Sequence, residues 1–133
     1  MKGTTVSKRI IQNGSSLGPY SQAVIVGNHC YVAGTGGFLP GTAQLVEGGK
    51  EAEIRQTMKN LEAVIGEAGY SMSDIVSVTA YLRDVSDWPT FNEIYSTCFE
   101  PESAPARAVV GVAELPAGAN VEVTCVAVRE DTA

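Results

Sequence analysis

The feature that most constrains the fold is a pair of strand-like segments near the end of the chain that are nearly apolar on both faces. Segments 107–113 and 121–128 carry valine or cysteine at alternate positions of both parities: Val110, Val112, Val121, Val123 and Cys125 on one, Val109, Val126 and Val128 on the other. An antiparallel strand with one face in water alternates apolar and polar side chains instead. Both faces of this sheet therefore need cover, and we expect helices on one face and a sheet from another subunit on the other.

Further strands are predicted before these two. The stretch SQAVIVGNHCYVAG indicates a hairpin from Ala23 to Val26 and from His29 to Ala33, with Gly27 and Asn28 both expected at positive φ in its turn. A short strand is expected over residues 8–12. The segment DIVSVTAYLRD predicts a strand with Ile75, Ser77, Thr79 and Tyr81 on one face and Val76, Val78, Ala80 and Leu82 on the other.

Two helices are predicted between the strands. Residues 50–70 place Ile54, Met58, Leu61 and Ile65 on one apolar stripe, with Glu51 and Glu53 in the first turn and Gly69 as the residue that ends the helix. A second helix is expected to begin near Ser86 or Asp87, with Pro89 in its first turn and a stripe of Phe91, Ile94, Tyr95 and Cys98. The element order predicts one two-layer α+β domain over residues 1–133, with both helices on one face of a mixed sheet.

The charge and composition of the chain limit the classes of partner and the compartment that we expect for it. The chain has 15 acidic and 9 basic residues, a formal net charge of −6, and no basic stripe. We therefore expect neither a nucleic-acid nor a membrane partner. The first residues lack the apolar run of a signal peptide, and three widely spaced cysteines without a C-x-x-C motif are typical of a reducing compartment, so the cytoplasm is expected.

Arg107 is the first candidate functional residue, because it is the only basic residue between Asp84 and Val128 and begins an apolar strand. A guanidinium keeps its charge, so burying it is costly unless an anion pairs with it. Two partners are open. One is an acidic residue of the same protein; the other is a small acid whose carboxylate the guanidinium binds with two hydrogen bonds.

Glu122 is the second candidate, since it interrupts the apolar strand NVEVTCVAV, where glutamate has a poor propensity. A carboxyl group there is placed to exchange a proton with a substrate or a water molecule. The alternatives are an outward-facing edge position and a salt bridge to Arg107.

For three further residues, a role in a functional site is weighed against a purely structural role. Tyr20 follows a Gly-Pro turn, which aims its phenol at a site or packs it on the surface, and Asn92 either binds a ligand or lies at the surface. His29 is the only histidine, and without a second one no zinc site or catalytic triad is expected. The GTGG stretch at residues 34–37 is followed by no lysine, so it is read as a turn or a substrate-approach loop rather than a phosphate cradle.

Seven motifs occur together in a recognisable order. They are LGPYSQAV, YVAGTGGF, IRQTMKNLEAVIGEAG, DIVSVTAYLRD, FNEIY, APAR and ELPAGANVEVTCVAV. In this order and at these spacings the chain resembles the RidA/YjgF reactive-intermediate deaminases over residues 17–129. The resemblance implies a chorismate-mutase-like α+β fold, a homotrimer with sites in the clefts between subunits, and hydrolysis of 2-enamine and 2-imino acids to 2-oxo acids and ammonia with no metal or organic cofactor.

The resemblance also implies roles for residues. Arg107 would hold the substrate carboxylate, Glu122 would position the attacking water and assist proton transfer, and Tyr20 would line the cleft. Gly34 would offer its backbone to the substrate, and Asn92 matches a position beside the site. Val109 stands at a substrate-binding position where the family often has cysteine.

This sequence differs from the common family pattern at other positions near the expected site. Ala33 stands where serine is common, TGGFLP replaces Gln-Ile-Pro, and Thr124 replaces a second glutamate, so the loop at residues 35–40 is where substrate size is expected to differ. Two rival functions are a non-catalytic binding protein for 2-oxo acids and, from older family labels, a ribonuclease or translation inhibitor.

Overall fold

The computed structural model describes residues 7–12 and 18–130. Across these residues the elements follow the predicted order: β1 (Lys8–Ile11), β2 (Ala23–Val26), β3 (His29–Thr35), α1 (Gly49–Glu67), β4 (Ile75–Leu82), α2 (Trp88–Tyr95), β5 (Ala106–Gly111) and β6 (Val121–Val128). The predicted bounds hold for β2 and β6. In contrast, β3 runs two residues further than predicted, β5 spans 106–111 rather than 107–113, and a 3₁₀ turn over Val85–Asp87 precedes α2.

The six strands form one mixed sheet in the order β1-β2-β3-β6-β4-β5. Neighbouring strands are antiparallel except for β4 and β5, which run parallel. The last strand of the chain, β6, therefore lies in the middle of the sheet, and β1 and β5 form its two edges. With two helices on one face, this confirms the predicted two-layer α+β architecture.

Helix α1 packs its predicted stripe against β3 and β6. Ile54, Met58, Leu61 and Ile65 are all buried. Burying such side chains contributes about 1.5–3 kcal/mol each, so the stripe fixes the helix on the sheet. Gly69 has a φ of 87° and follows the end of α1, as predicted. Within the described residues, neither helix has the length and apolar character needed to cross a membrane.

Two local predictions are wrong for identifiable reasons. In the β2–β3 turn only Gly27 has a positive φ, 59°, and Asn28 does not, which is the pattern of a type II′ turn. In β4 a bulge between Ile75 and Ser77 shifts the register against β6. Ile75 consequently turns into the core and Val76 is 48% exposed, the reverse of the predicted faces.

The second face of the sheet carries no helix in the described part of the chain. It nevertheless presents apolar side chains, as the two-sided pattern predicted. Val126 and Val128 of β6 are partly exposed, and Tyr31 of β3, which pairs with Val126, is 48% exposed. We refer to this surface, formed with Val24, Val26 and Val110, as the helix-free face.

Candidate active site

Glu122 and Gly34 lie against each other on neighbouring strands. A Cβ atom on Gly34 would stand 2.7 Å from Cδ of Glu122 and 2.9 Å from each carboxylate oxygen. Real Cβ atoms do not approach other heavy atoms this closely, so only glycine leaves the carboxylate its place. Two residues singled out from the sequence therefore occupy one site.

A cavity of about 650 Å³ opens beside this pair. Its lining includes Tyr20, Gly34 and Glu122, so the structure brings three predicted site residues together. It also includes Val64 of α1, although Glu122 lies on the helix-free face of the sheet. The cavity thus runs from the helix-free face past the end of the strands to helix α1.

Helix α1 holds the loop that forms one wall of the cavity. The Asn60 side chain donates hydrogen bonds of 2.8 and 2.9 Å to the carbonyls of Gly36 and Phe38. Gln56 donates a 2.9 Å hydrogen bond to the Asn60 amide oxygen and so fixes its orientation. At Gly37 a Cβ atom would lie 2.7 Å from Cγ of Glu53, so a glycine is needed for the loop to approach the helix this closely.

Glu53 holds a second wall of the cavity. The prediction that it lies in the first turn of α1 is wrong, because the helix begins at Gly49. Glu53 is buried, 3% exposed, and its carboxylate accepts 2.7 Å hydrogen bonds from the backbone N–H and the side-chain amide of Asn120. Asn120 stands two residues before Glu122, so this contact positions the start of β6. This role of Glu53 was not predicted from the sequence. The available signal was that Glu53 and Thr57 continue the buried stripe at a spacing of four.

Arg107 lies elsewhere, on the edge strand β5. Its guanidinium carbon is 4.7 Å from the ring centroid of Tyr95 and 5.8 Å from that of Phe91, both on α2. These are cation–π distances, and aromatic faces hold the guanidinium without using its N–H donors. None of the carboxylates in residues 7–12 and 18–130 forms an ion pair with Arg107. The alternative that an internal acid satisfies this charge therefore fails for the described chain.

Arg107 and Glu122 lie on opposite faces of the sheet. Arg107 pairs with Val78, which is buried under the helices, whereas Glu122 pairs with Tyr81 on the helix-free face. The two Cα positions are separated by two strand spacings and three residues, about 10 Å in each direction. A salt bridge between Arg107 and Glu122 within one chain is thus ruled out, and one chain alone does not bring the two side chains together.

Asn92 and Val109 belong to the Arg107 side. Asn92 follows Phe91 on α2 and is partly buried, and Val109 packs against the core two residues after Arg107. Neither lines the cavity beside Glu122. The predicted site residues therefore form two groups: Tyr20, Gly34 and Glu122 around the cavity, and Arg107, Val109 and Asn92 away from it, on β5 and α2.

The buried Tyr95 phenol and the cysteine thiols are weak nucleophiles and bases at neutral pH. Burial raises the pKa of the Tyr95 phenol to about 12 and that of the Cys125 thiol to about 12. Burial also raises the pKa values of Cys30 and Cys98, so all three thiols are protonated at neutral pH and poor nucleophiles. In the described residues no group of three His, Cys, Asp or Glu side chains could hold a metal ion.

Comparison with known proteins agrees with this fold. The family model described as Endoribonuclease L-PSP matches residues 11–129. The chain belongs to this family, the RidA/YjgF proteins. A 2-iminobutanoate/2-iminopropanoate deaminase from Mus musculus is 44% identical over 115 residues, which are 86% of this chain and 84% of the relative. A RutC family protein from Pyrococcus horikoshii is 40% identical over 86% of this chain and 90% of its own length.

Solved structures of the RidA/YjgF family share the fold. The crystal structure of RidA from the Antarctic bacterium Psychrobacter sp. PAMC 21119 superimposes with a TM-score of 0.85 at 38% sequence identity. The match covers 91% of this chain and 99% of that chain. The architecture implied by the resemblance is thereby confirmed for this member of the family.

Proposed function

We propose that this RidA/YjgF protein hydrolyses 2-imino and 2-enamine acids to 2-oxo acids and ammonia. The observation that carries the proposal is a guanidinium, that of Arg107, without a carboxylate partner among the described residues, together with a carboxylate, Glu122, in a cavity of about 650 Å³. A small acid with an electrophilic carbon needs both groups: a cation for its carboxylate and a base for the attacking water. Relatives named as imine deaminases support the same chemistry.

The proposed site forms between copies of the chain. Because Arg107 and Glu122 lie on opposite faces of the sheet, a second copy has to bring its Arg107 to the cavity of the first. The helix-free face, with Tyr31 48% exposed and Val126 beside it, offers the apolar surface for such an association. We propose a homotrimer, as the family resemblance implies.

The reaction needs no cofactor in this scheme. Arg107 binds the substrate carboxylate through two N–H groups and fixes the imine carbon near Glu122. The Glu122 carboxylate accepts a proton from water as the water oxygen bonds to that carbon, and the C=N electron pair moves to nitrogen. Glu122 returns the proton to nitrogen. The new hydroxyl then gives its proton to Glu122, which passes it to the departing nitrogen, so that the C–N bond breaks, ammonia leaves with the 2-oxo acid and the Glu122 carboxylate is regenerated.

The other predicted site residues lie around Glu122 and Arg107 in this scheme. Gly34 leaves room beside the Glu122 carboxylate, and Tyr20 lines the mouth of the cavity. We propose that Asn92 and Val109 accompany Arg107 at the edge contributed by the second copy. A reducing compartment such as the cytoplasm is our proposal for the location, since Cys30, Cys98 and Cys125 are free thiols.

The test is release of ammonia and 2-oxo acid from imines generated by an amino-acid oxidase or a threonine dehydratase. The protein should accelerate release beyond that in buffer. Arg107→Ala should lower kcat/KM about ten- to a hundredfold, because a charge-assisted bidentate contact is lost. Arg129→Ala, another strand-end arginine, is the matched control. Equal rates for Arg107→Ala and the parent protein would reject the proposal.

A second candidate function is RNA cleavage, because the matching family model is described as an endoribonuclease. The net charge of −6 disfavours RNA binding. The ribonuclease function would be favoured if protein freed of contaminating nuclease cleaved RNA and the Glu122→Ala variant did not. Saturable binding of 2-oxobutyrate without any imine turnover would instead indicate the binding protein considered from the sequence.

A further inference from the structure

The cavity beside Glu122 is much larger than a small imino acid requires. Its volume of about 650 Å³ lies within the range of about 300–1,000 Å³ that proteins use for ligands of drug size. An imino acid with a one- or two-carbon side chain has only six or seven non-hydrogen atoms and would fill a small part of this space.

The two ends of the cavity differ in chemistry. The polar end contains Glu122, Gln22 and Tyr20. The lining contributed by the 38–43 loop, α1 and residue 117 is largely apolar, with Phe38, Leu39, Pro40, Ala63, Val64 and Ala117. Asn60 and Thr42 also line it, but their side chains already donate hydrogen bonds to carbonyls of the loop. We call this second part the apolar arm. Water placed there finds few hydrogen-bond partners, whereas an alkyl or aromatic side chain gains from leaving bulk water.

The wall of the apolar arm is held in place without a ligand. Asn60 fixes the carbonyls of Gly36 and Phe38 to helix α1. Beyond them, the Leu39 N–H donates to the Gln44 carbonyl at 2.8 Å, and the Thr42 hydroxyl donates to the Leu39 carbonyl at 2.8 Å. A preformed apolar wall binds a complementary side chain without the entropic cost of ordering a loop.

We infer that the preferred substrates are 2-imino acids with extended apolar side chains, which occupy the apolar arm. The inference rests on the proposed function, because it takes the imine carbon to lie at Glu122 and the carboxylate to lie at Arg107 of a second copy. With those two groups of the substrate fixed at the polar end, the side chain on the imine carbon has the apolar arm as its remaining space. Ala63 of α1 is then a residue that limits side-chain length.

The experiment compares kcat/KM for imines made by an amino-acid oxidase from 2-aminobutyrate, leucine and phenylalanine. Each buried methylene is worth about fourfold, so the leucine imine, with two more side-chain carbons, should be hydrolysed about fifteenfold more efficiently than the 2-aminobutyrate imine. Ala63→Phe should reduce that ratio toward one by filling the apolar arm. Glu62→Phe is the matched control, since Glu62 is the exposed neighbour that does not line the cavity, and it should leave the ratio unchanged.

A binding measurement separates this inference from the proposed function. Calorimetric titration with 2-oxobutyrate and with 4-methyl-2-oxopentanoate requires no turnover, and the longer acid should bind about fifteenfold more tightly. Size-dependent binding without hydrolysis of any imine would reject the deaminase and retain the apolar arm as the ligand site. Hydrolysis with equal efficiency for all three imines, or an unchanged ratio in folded Ala63→Phe, would overturn the inference.

Discussion

Glu53 and Asn120 are 67 residues apart in the chain and are joined by two hydrogen bonds of 2.7 Å. One comes from the backbone and one from the side chain of Asn120, while the amide oxygen of Asn120 is buried and has no partner among the described residues. A buried carboxylate in helix α1 therefore holds the chain just before the proposed catalytic Glu122.

We expect Glu53→Ala to lower the free energy of unfolding by about 2–4 kcal/mol, because two partly buried N–H groups lose their acceptor and a cavity remains. In Glu53→Gln the Asn120 amide can rotate by 180°, so its unpartnered oxygen accepts from the new glutamine amide, and the loss should be under about 1 kcal/mol. Urea unfolding measures both values.

Glu51→Ala is the control for these variants. Glu51 is exposed on the same helix and pairs with Arg55, a contact worth about 0.2–0.5 kcal/mol. If Glu53→Ala costs no more than Glu51→Ala, the Asn120 contact does not hold the loop.

Gly34→Ala is expected to disable the site. The added Cβ would stand 2.7 Å from the Glu122 carboxylate carbon and force the carboxylate to move, so imine hydrolysis should fall more than about tenfold. Gly66→Ala is the matched control, because a Cβ on Gly66 meets nothing within 4 Å and should stabilise helix α1 by about 1 kcal/mol. Ammonia release and urea unfolding are measured on both, and full activity in Gly34→Ala would contradict the placement of Glu122.

Arg107→Ala and Glu122→Ala should each have low activity alone, and mixing their subunits should raise it. If a site takes Arg107 from one copy and Glu122 from another, a mixed assembly contains some sites with both residues intact. Ammonia release is measured after the two variants exchange subunits in dilute urea and the urea is removed.

Mixing Arg107→Ala with the double variant Arg107→Ala/Glu122→Ala provides the control, since no site in that mixture contains Arg107. Activity that does not recover when the two single variants exchange subunits would place both residues of a site in one chain, against the geometry of the sheet.

Tyr95→Phe is expected to stabilise the chain. The Tyr95 hydroxyl is buried without a hydrogen-bond partner among the described residues, and its removal should raise the free energy of unfolding by about 1 kcal/mol. The phenol pKa is raised by burial from 10.0 to about 12 in the folded chain. As pH rises through this window the unfolded chain releases the proton first, so the stability present below pH 10 is progressively lost.

The measurement is urea unfolding at pH 9 and pH 11, where Tyr95→Phe should lose less stability between the two values than the parent protein. The buried Cys125 thiol, whose pKa is also raised to about 12, contributes to the loss in both proteins. The exposed Tyr31→Phe serves as the control, and an equal pH dependence in the parent and Tyr95→Phe would contradict the assigned titration.

Much of the fold was predictable because its information is local. The spacing of Ile54, Met58, Leu61 and Ile65 defines the buried side of α1, and a valine-rich run interrupted by Glu122 defines β6. The bulge at Ile75 was not predictable, because an extra residue in one strand of a pair does not change the amino-acid composition of that strand.

The candidate site was predictable only in part. Gly34 and Glu122 were named from the sequence, but their contact depends on the pairing of β3 with β6, and the role of Glu53 depends on Asn120, a residue distant in sequence. Arg107 was expected near an anion, yet which face of the sheet it takes is set by packing against Tyr95 and not by any neighbour in sequence.

Helix α1 restrains both cavity walls, through Glu53 to residue 120 and through Asn60 to residues 36–38. Loosening this single helix from the sheet would release both restraints at once. Ligand-binding competence should then vanish in one cooperative step upon mild heating, ahead of the melting of the strands themselves.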